Sequence, residues 1–288
     1  MKKIAITTDS NSGLLPQEAP DGVFILPMPF LVNGEPHFEN IDLSQEKFYS
    51  FLEGDASVST SQPSIGDLSD FWTDILRNYD SIVHIPMSSG LSQACATAIM
   101  LAKDFGSKVT VVDNHRISIT MKESVMDAVK LREQGENPSE IKEYLEKTAA
   151  DSSIYIAVDT MKYLKKGGRV TPAAAAIGSI LKLKPVLQIH GEKLDKYALT
   201  RGNVKAKEAL KTAMKNDLET VFKKYVDNGE MCISVAYSDN KEEVEAFAKE
   251  FQALMPNVPF HFCDPLSLSV ACHIGPGAIG FACSRFVK

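Results

Sequence analysis

Apolar and polar positions follow two different spacings along the first half of the chain. Short apolar runs have the length of buried strands, and they lie at 4–7, 23–27, 81–85 and 109–112. Longer stretches repeat apolar residues at helical spacing, and they lie at 43–53, 66–77, 92–105 and 120–134. Strands that alternate with helices usually pair in parallel and are covered on both faces. The first half is therefore predicted to form a parallel α/β sheet.

The pattern changes in the second half. Strand-like segments lie at 153–159, 185–191, 196–200, 231–238 and 260–264, and helical stretches lie at 203–226 and 241–254. A short turn around Gly191 and Glu192 favours an antiparallel hairpin. The segment 173–183 is rich in small residues, which would let two backbones approach closely. We therefore predict an N-terminal parallel α/β domain over 1–151 and a C-terminal α+β domain over 152–288.

Composition and charge narrow the class of protein. The chain has 288 residues, of which 44% are hydrophobic, and this is enough for a substantial core. Its formal net charge is -6, and no basic stripe offers itself to a phosphate backbone, so a nucleic-acid partner is not expected. The first residues turn polar at Thr8 and Asp9, and the sequence contains no apolar run of about 18 residues. We expect neither export nor stable membrane insertion.

The cysteines indicate a reducing compartment. There are five of them, an odd number, and none has the CxxC spacing of a metal or redox motif. Their neighbours are apolar, which is typical of reduced thiols packed as small hydrophobes. We therefore expect the protein to be cytoplasmic.

Hydroxyl-bearing residues and glycines gather in a few short segments. The segments are TTDSNSG (7–13), VSTSQPS (58–64), SSGLS (88–92) and CHIGPGAIG (272–280). Three of them have a structural explanation, since Ser92 is a good helix N-cap, Thr60 and Ser61 suit a turn, and His273 fits a core histidine that bonds a backbone carbonyl. Loops at the carboxyl ends of parallel strands nevertheless meet at one edge of the sheet. Together they offer neutral hydrogen-bond donors to a small anion.

Other kinds of site fit the sequence less well. A P-loop would need GxxxxGK[ST], which the chain lacks, and GPGAIG lies too close to the C-terminus to open a dinucleotide-binding unit. The six histidines show neither HxH nor HExxH spacing, so we expect no metal site. A serine hydrolase is the alternative, with Ser92 as nucleophile, His273 as base and Asp159 or Asp264 as the third member. However, GLSQA departs from GxSxG at Ala94.

The clusters resemble a known family when they are taken as a set. TTDS, TSQPS, SSGLSQ, VDTMKYLKKGGRV, LKLKP and HIGPGAIG occur in the order and at roughly the spacing of the DegV family of bacterial fatty-acid-binding proteins. The resemblance covers nearly the whole chain. It implies a two-domain DegV-like fold with a long-chain fatty acid in a tunnel between the domains and no other cofactor.

The resemblance also implies roles for particular residues. Thr60 and Ser92 would bind the fatty acid carboxylate, with Ser61 adjacent and His273 completing the network, whereas two arginines, Arg169 and Arg201, would lie near the opening. Characterised members hand the bound acid to a fatty acid kinase, so the chain is expected to be a carrier and not an enzyme itself. It departs from the family in NHRISITMKES, where Lys122 and Glu123 replace small residues. This departure bears on the expected width of the tunnel.

Overall fold

The structure is a computed structural model that describes residues 3–39, 41–177, 183–190, 192–238 and 241–288. Its strands are β1 (Ile4–Asp9), β2 (Val23–Leu26), β3 (Pro29–Val32), β4 (Glu35–Phe38), β5 (Val58–Thr60), β6 (Ser81–Ile85), β7 (Val109–Val111), β8 (Ser152–Ala157), β9 (Leu183–Ile189), β10 (Asp195–Arg201), β11 (Met231–Tyr237), β12 (Phe260–Pro265) and β13 (Ile279–Arg285). Its α-helices are α1 (Gln45–Glu53), α2 (Ile65–Ile75), α3 (Ala94–Ala102), α4 (Ser118–Glu133), α5 (Pro138–Lys147), α6 (Lys162–Gly167), α7 (Pro172–Ala175), α8 (Gly202–Glu219), α9 (Lys223–Asp227), α10 (Lys241–Leu254) and α11 (Leu268–Ile274).

The first half contains the parallel sheet that the sequence predicts. Its strand order is β2-β1-β6-β7, and every pairing is parallel. Alternate residues of β1 face opposite sides, since Ala5 packs with Trp72 of α2 whereas Ile6 packs with Val125 of α4. Burial on both faces explains why these strands are mainly apolar, although the polar residues Thr7, Thr8 and Asp9 at the end of β1 are buried as well.

A mixed sheet forms the core of the second half. Its order is β10-β9-β8-β13-β11-β12, in which only the β11 and β12 pair is parallel among the described pairings. Tyr155 of β8 packs with Leu210 of α8 on one face, whereas Ile156 belongs to a different cluster on the other. That second cluster includes residues of the first half, such as Phe48 and Leu91. The two halves therefore share a core.

A small antiparallel sheet, β4-β3-β5, was not predicted from the sequence. Its strands are three or four residues long, and Pro36 lies within β4, so the sequence pattern is that of a loop. Thr60 and Ser61 suit a turn in the sequence, but in the structure Thr60 is the last residue of β5. The pairing of Thr60 with Phe30 fixes the backbone from which the Thr60 side chain extends.

Other element boundaries also differ from expectation. The single helix predicted over 203–226 is two helices, because α8 ends at Glu219 and Thr220 adopts non-helical dihedral angles. The last strand, β13, was not predicted. The antiparallel pairing of β9 with β10 agrees with the predicted hairpin, although Gly191 of its turn and residues 178–182 of the small-residue segment lie outside the described residues.

The predicted division at residue 151 falls between the two large sheets. All strands of the parallel sheet precede it, and all strands of the mixed sheet follow it. The division into two domains stays a prediction, since the shared core gives no test of independent folding. Among the helices described, none combines the length and the apolar character needed to cross a bilayer.

Candidate functional site

A cavity of about 370 Å³ lies between the two halves of the molecule. Its walls are mainly apolar and come from both sides, including Leu91, Ile117, Ile119, Ile156, Ile189 and Ile274. Its volume is within the range of sites that enclose small organic ligands. A smaller set of polar side chains interrupts this apolar surface, and it includes Asn11, Thr60, Ser61, Ser92, Arg169 and His273. The predicted carboxylate-binding residues therefore line one cavity.

Thr60 and His273 are in direct contact although 213 positions separate them in the sequence. The Thr60 Oγ1 and His273 Nε2 atoms are 2.9 Å apart, and both residues line the cavity. His273 belongs to α11, whose last turn packs against α6. Burial, followed by the nearby Arg169 guanidinium, lowers the pKa of His273 to about 4. The imidazole is therefore neutral at pH 7.

The KGGR segment provides the second side of this polar cluster. Gly167 ends α6 so close to the imidazole of His273 that a Cβ atom there would lie 2.1 Å from its Nδ1. Gly168 follows with a φ of 69°, a left-handed conformation that favours glycine. The chain can then place Arg169 on the cavity wall, where its Nε donates to the Leu91 carbonyl over 3.3 Å. Arg169 is thus anchored to the SSGLS segment.

Ser92 and Ser61 also line the cavity, and their hydroxyls have local partners. The Ser92 Oγ accepts a hydrogen bond from the Ala94 backbone N–H over 3.1 Å at the start of α3. The Ser61 hydroxyl donates to the Gln62 carbonyl over 3.1 Å. Ser92 therefore supports the helix start and borders the cavity, while its hydroxyl hydrogen is still available to an acceptor.

A second polar group on the cavity wall comes from the TTDSNSG segment, which spans the end of β1. The Asp9 Oδ1 accepts from the Asn11 side-chain amide over 2.7 Å, and the Asn11 Oδ1 accepts from the Ser269 hydroxyl. Burial raises the pKa of Asp9 to about 6. Asn11 and Ser269 line the cavity, and Ser269 was missed because SLS carries no motif in the sequence. Both are further candidates for ligand contacts.

Three residues that the sequence analysis placed near the tunnel do not line the cavity. Arg201 is an exposed residue at the end of β10, and it does not line the cavity. Lys122 and Glu123, the departures from the family pattern, also lie outside the lining, because Lys122 pairs with Asp264 and Glu123 pairs with His261. The cavity is instead bordered by Ile117, Ser118 and Ile119, which precede them.

The hydrogen bonds of a hydrolase triad are not formed by the residues proposed for it. The described contact of His273 Nε2 is Thr60, and Ser92 interacts with its own helix. Asp264 binds Lys122 over 2.6 Å, and Asp159 binds Lys184, so both aspartates are engaged elsewhere. Neither aspartate lines the cavity. The geometry therefore gives no support to the hydrolase alternative.

Comparison with known proteins identifies the family. A family model described as "Uncharacterised protein, DegV family" matches residues 3–285. The chain belongs to the DegV family. A DegV domain-containing protein of Deinococcus radiodurans is 30% identical in an alignment of length 287 that covers 97% of each chain. Protein DegV of Bacillus subtilis is 26% identical over 283 residues, covering 96% of this chain and 97% of the relative.

Solved DegV structures share the fold over the whole chain. A structure described as fatty acid binding of a DegV family protein from Thermus thermophilus has a TM-score of 0.85 and 26% identity, and it covers 99% of this chain and 100% of the other. DegV of Bacillus subtilis, described as a fatty acid binding protein, has a TM-score of 0.82 and 25% identity, with the same coverage. The mixed α/β architecture with a separate parallel sheet is therefore that of the DegV fold.

Proposed function

We propose that this protein binds one long-chain fatty acid in the cavity between its two halves. The observation that carries the proposal is a mainly apolar cavity bordered by neutral hydrogen-bond donors around the Thr60 and His273 pair. Two DegV relatives of known structure, which are 25 and 26% identical, are described as fatty-acid-binding proteins. In our assignment the carboxylate contacts Thr60, Ser61 and Ser92, His273 completes the network through Thr60, and the acyl chain lies along the apolar wall.

Neutral donors suit a carboxylate at a partly buried position. Removing an ionised carboxylate from water costs several kcal/mol unless donors replace the water. Hydrogen bonds to a charged group contribute about 1.5 to 3 kcal/mol each, so a few such bonds roughly offset that cost. With its proton on Nε2, His273 donates to the Thr60 Oγ1, and the Thr60 hydroxyl hydrogen is then free to donate to the carboxylate. The polar cluster orients the head group more than it increases affinity.

The acyl chain supplies most of the favourable free energy. A chain of about 14 methylenes, at about 0.8 kcal/mol each, gives roughly 11 kcal/mol before the costs of association and ordering are subtracted. The isoleucines along the cavity wall, such as Ile119, Ile156 and Ile189, provide an apolar surface for this burial. We therefore expect affinity to depend mainly on the shape of the apolar wall.

The finer part of the proposal concerns the partner. We propose that the protein works in the cytoplasm as a carrier that presents the carboxylate to a fatty acid kinase. A carboxylate oxygen would attack the γ-phosphorus of ATP on the kinase, forming acyl phosphate and releasing ADP. Because no lysine is paired with the carboxylate in our assignment, that oxygen stays nucleophilic. Arg169 would meet the kinase or the acyl phosphate at the cavity, and the exposed Arg201 would contact the partner at a distance from it.

The test separates the head group from the tail. In the delipidated full-length protein, Thr60→Ala combined with Ser92→Ala should lower kinase-dependent acyl phosphate formation severalfold and weaken palmitate binding only modestly. Ala236→Leu, which narrows the cavity at β11, should weaken palmitate binding by at least about tenfold because it displaces the acyl chain. Isothermal titration calorimetry measures binding, and an assay with a bacterial fatty acid kinase measures turnover.

The matched control is Ser89→Ala, in the same segment as Ser92 but outside the cavity lining. It should leave both readouts unchanged. Failure of wild-type protein to bind palmitate, or equal binding by the wild type and the Ala236→Leu variant, would refute the cavity assignment. Binding without any kinase-dependent turnover would refute only the carrier role.

A further inference from the structure

A cluster of buried polar side chains lies where α4 of the first half packs against the mixed sheet of the second. Glu123 is on α4, Cys232 on β11 and His261 on β12. β11 and β12 are neighbouring parallel strands, and α4 contacts β11 directly. Glu123 is 3% exposed and Cys232 is 1% exposed, whereas the His261 side chain is 26% exposed. None of the three lines the proposed fatty acid cavity.

The ligand atoms of this cluster lie close enough together to share one metal ion. The Glu123 Oε2 is 2.9 Å from His261 Nδ1 and 3.4 Å from Cys232 Sγ, and the three ligand atoms all lie within 4.8 Å of one another. Around a tetrahedral Zn²⁺ with bonds of about 2.0 to 2.3 Å, neighbouring ligand atoms are about 3.3 to 3.6 Å apart. Small side-chain adjustments would therefore give all three atoms bonding distance to one ion.

We propose that Glu123, Cys232 and His261 form a binding site for a Zn²⁺-like divalent cation at the junction of the two halves. One thiolate, one imidazole and one carboxylate are the donor set that zinc accepts, and thiolate together with imidazole favours it over Mg²⁺ or Ca²⁺. The partly exposed His261 gives the ion a route from solvent to a site that is otherwise buried. The site is separate from the fatty acid cavity.

A neighbouring aspartate is a second observation that points to a cation. Asp127 is one helical turn after Glu123 on α4, so the two carboxylates lie on the same face of the helix. Asp127 is 3% exposed, and its Oδ2 has no hydrogen-bond partner among the described residues. A buried carboxylate oxygen without a donor is costly. It could serve as the fourth ligand or accept a hydrogen bond from a water on the metal.

The local charge balance allows a cation. Arg116 is buried nearby, where it donates to the Ser124 hydroxyl over 3.3 Å and to the Thr148 carbonyl over 2.8 Å. Its single positive charge offsets one of the two carboxylates of Glu123 and Asp127. When the Cys232 thiol binds the metal, its proton is released to solvent and the sulfur becomes a thiolate. The three negative charges of two carboxylates and one thiolate then balance the two positive charges of the ion and the one of Arg116.

Metal binding replaces hydrogen bonds that the free side chains already make. Without an ion, the Cys232 thiol donates to the Glu123 Oε2, and the imidazole of His261 shares its Nδ1 proton with the same oxygen. In the bound state the His261 proton is on Nε2, and Nδ1 is a ligand. The metal would connect a helix of the first half with two strands of the second, and it would therefore stabilise the junction that encloses the cavity.

The test uses full-length protein treated with EDTA and kept reduced. Titration with Zn²⁺ should show one equivalent bound, and Co²⁺ should give the near-ultraviolet absorption of a thiolate ligand. Cys232→Ser should abolish that absorption and weaken Zn²⁺ binding by at least about tenfold. Cys263→Ser is the matched control, because Cys263 is a more accessible thiol on the same strand as His261, and it should leave both signals unchanged. Loss of either signal in the control would contradict the assignment.

A second variant keeps the test valid if Cys232→Ser does not fold. His261→Ala removes the most exposed ligand, so the fold should tolerate it. Zn²⁺ should raise the melting temperature of the wild type but not that of His261→Ala. No thiolate absorption in the wild type, or an equal zinc-induced shift in both proteins, would overturn the proposal and leave a hydrogen-bonded junction in its place.

Discussion

At the scale of single residues, His273 shows how the surroundings set the chemistry of the polar cluster. Its imidazole contacts Thr60 and lies near Arg169, and its pKa is lowered to about 4 by burial first and by the arginine second. A free histidine would be about one-quarter protonated at pH 7 if its pKa were 6.5. The neutral state at His273 means that this residue contributes a hydrogen bond and not a positive charge to the proposed head-group cluster.

The first residue-scale prediction concerns this pKa. Arg169→Gln removes the positive charge, so the pKa of His273 should rise towards 6.5 while remaining lowered by burial. Because a lowered histidine pKa makes the folded state less stable as the pH falls from about 6.5 towards 4, the variant should lose less stability over that range. NMR titration of the imidazole and urea unfolding at several pH values measure the two effects. An unchanged imidazole pKa would show that the guanidinium charge does not reach His273.

Residue-level sequence analysis found part of the site. Thr60, Ser61, Ser92, Arg169 and His273 all line the cavity, as the resemblance to the family implied. Their roles in binding stay predictions. The ligands of the proposed metal site could not be found in this way, because 109 and 138 positions separate Glu123 from Cys232 and His261. Spacing rules recognise only ligands that are close in sequence.

At the scale of elements, α6 and the glycines that end it determine how closely α11 approaches. Gly167 is in contact with the imidazole of His273, and a Cβ at Gly275 would lie 2.3 Å from the ring of Tyr163. Gly167 at the end of α6 thus faces the ring of His273, and Gly275, directly after α11, faces the ring of Tyr163. The KGGR and HIGPG segments are two sides of one helix contact.

We expect Gly167→Ala to disturb the site through this contact. The added methyl group would overlap His273 Nδ1, so the imidazole should move away from Thr60 and the melting temperature should fall by several degrees. The double variant Gly167→Ala with His273→Ala removes the overlap and should recover most of the loss. Gly66→Ala is the control, because Gly66 lies in α2 with room for a Cβ. A melting temperature of the single variant equal to that of the wild type would show that the contact is not tight.

Elements were predictable where burial gives a strong sequence signal. β1, β6 and β11 are buried along nearly their whole length because both of their faces are covered, and the sequence predicted a strand at each of the three. β3, β4 and β5 are short, and tertiary pairing more than local propensity defines them. The break after α8 was missed because the amphipathic spacing continues past Thr220.

At the scale of the whole molecule, the two halves are joined by buried charges as well as by apolar contacts. The Lys122 Nζ lies 2.6 Å from the Asp264 Oδ2 and 4.7 Å from the centre of the Phe262 ring. The Lys122 side chain is 7% exposed, and Asp264 is the nearest acid to it, since Glu18 is 4.0 Å away. Lys122 was expected to alter the tunnel, but its position indicates a role in joining the halves.

The corresponding prediction concerns stability. Asp264→Asn removes the negative charge that pairs with the buried Lys122 ammonium group. The variant should therefore lower the free energy of unfolding by up to about 3 kcal/mol. Lys122→Met combined with Asp264→Leu removes both charges and should recover most of that loss. Urea unfolding followed by circular dichroism measures both, and the fluorescence of Trp72 reports on the first half alone. A double variant that is less stable than Asp264→Asn would contradict this account.

The two faces of the mixed sheet have different roles, because one face borders the cavity and the other packs against helices. Residues such as Ile156 and Ala236 border the ligand space, whereas their chain neighbours Tyr155 and Val235 pack beneath the helices on the reverse side. We therefore expect a substitution that lengthens or narrows the cavity to leave the residues of the opposite layer in place. If the cavity holds an acyl chain as we propose, exchanging every other residue of β8 or β11 would change the shape of its binding surface without replacing the residues that pack against the helices.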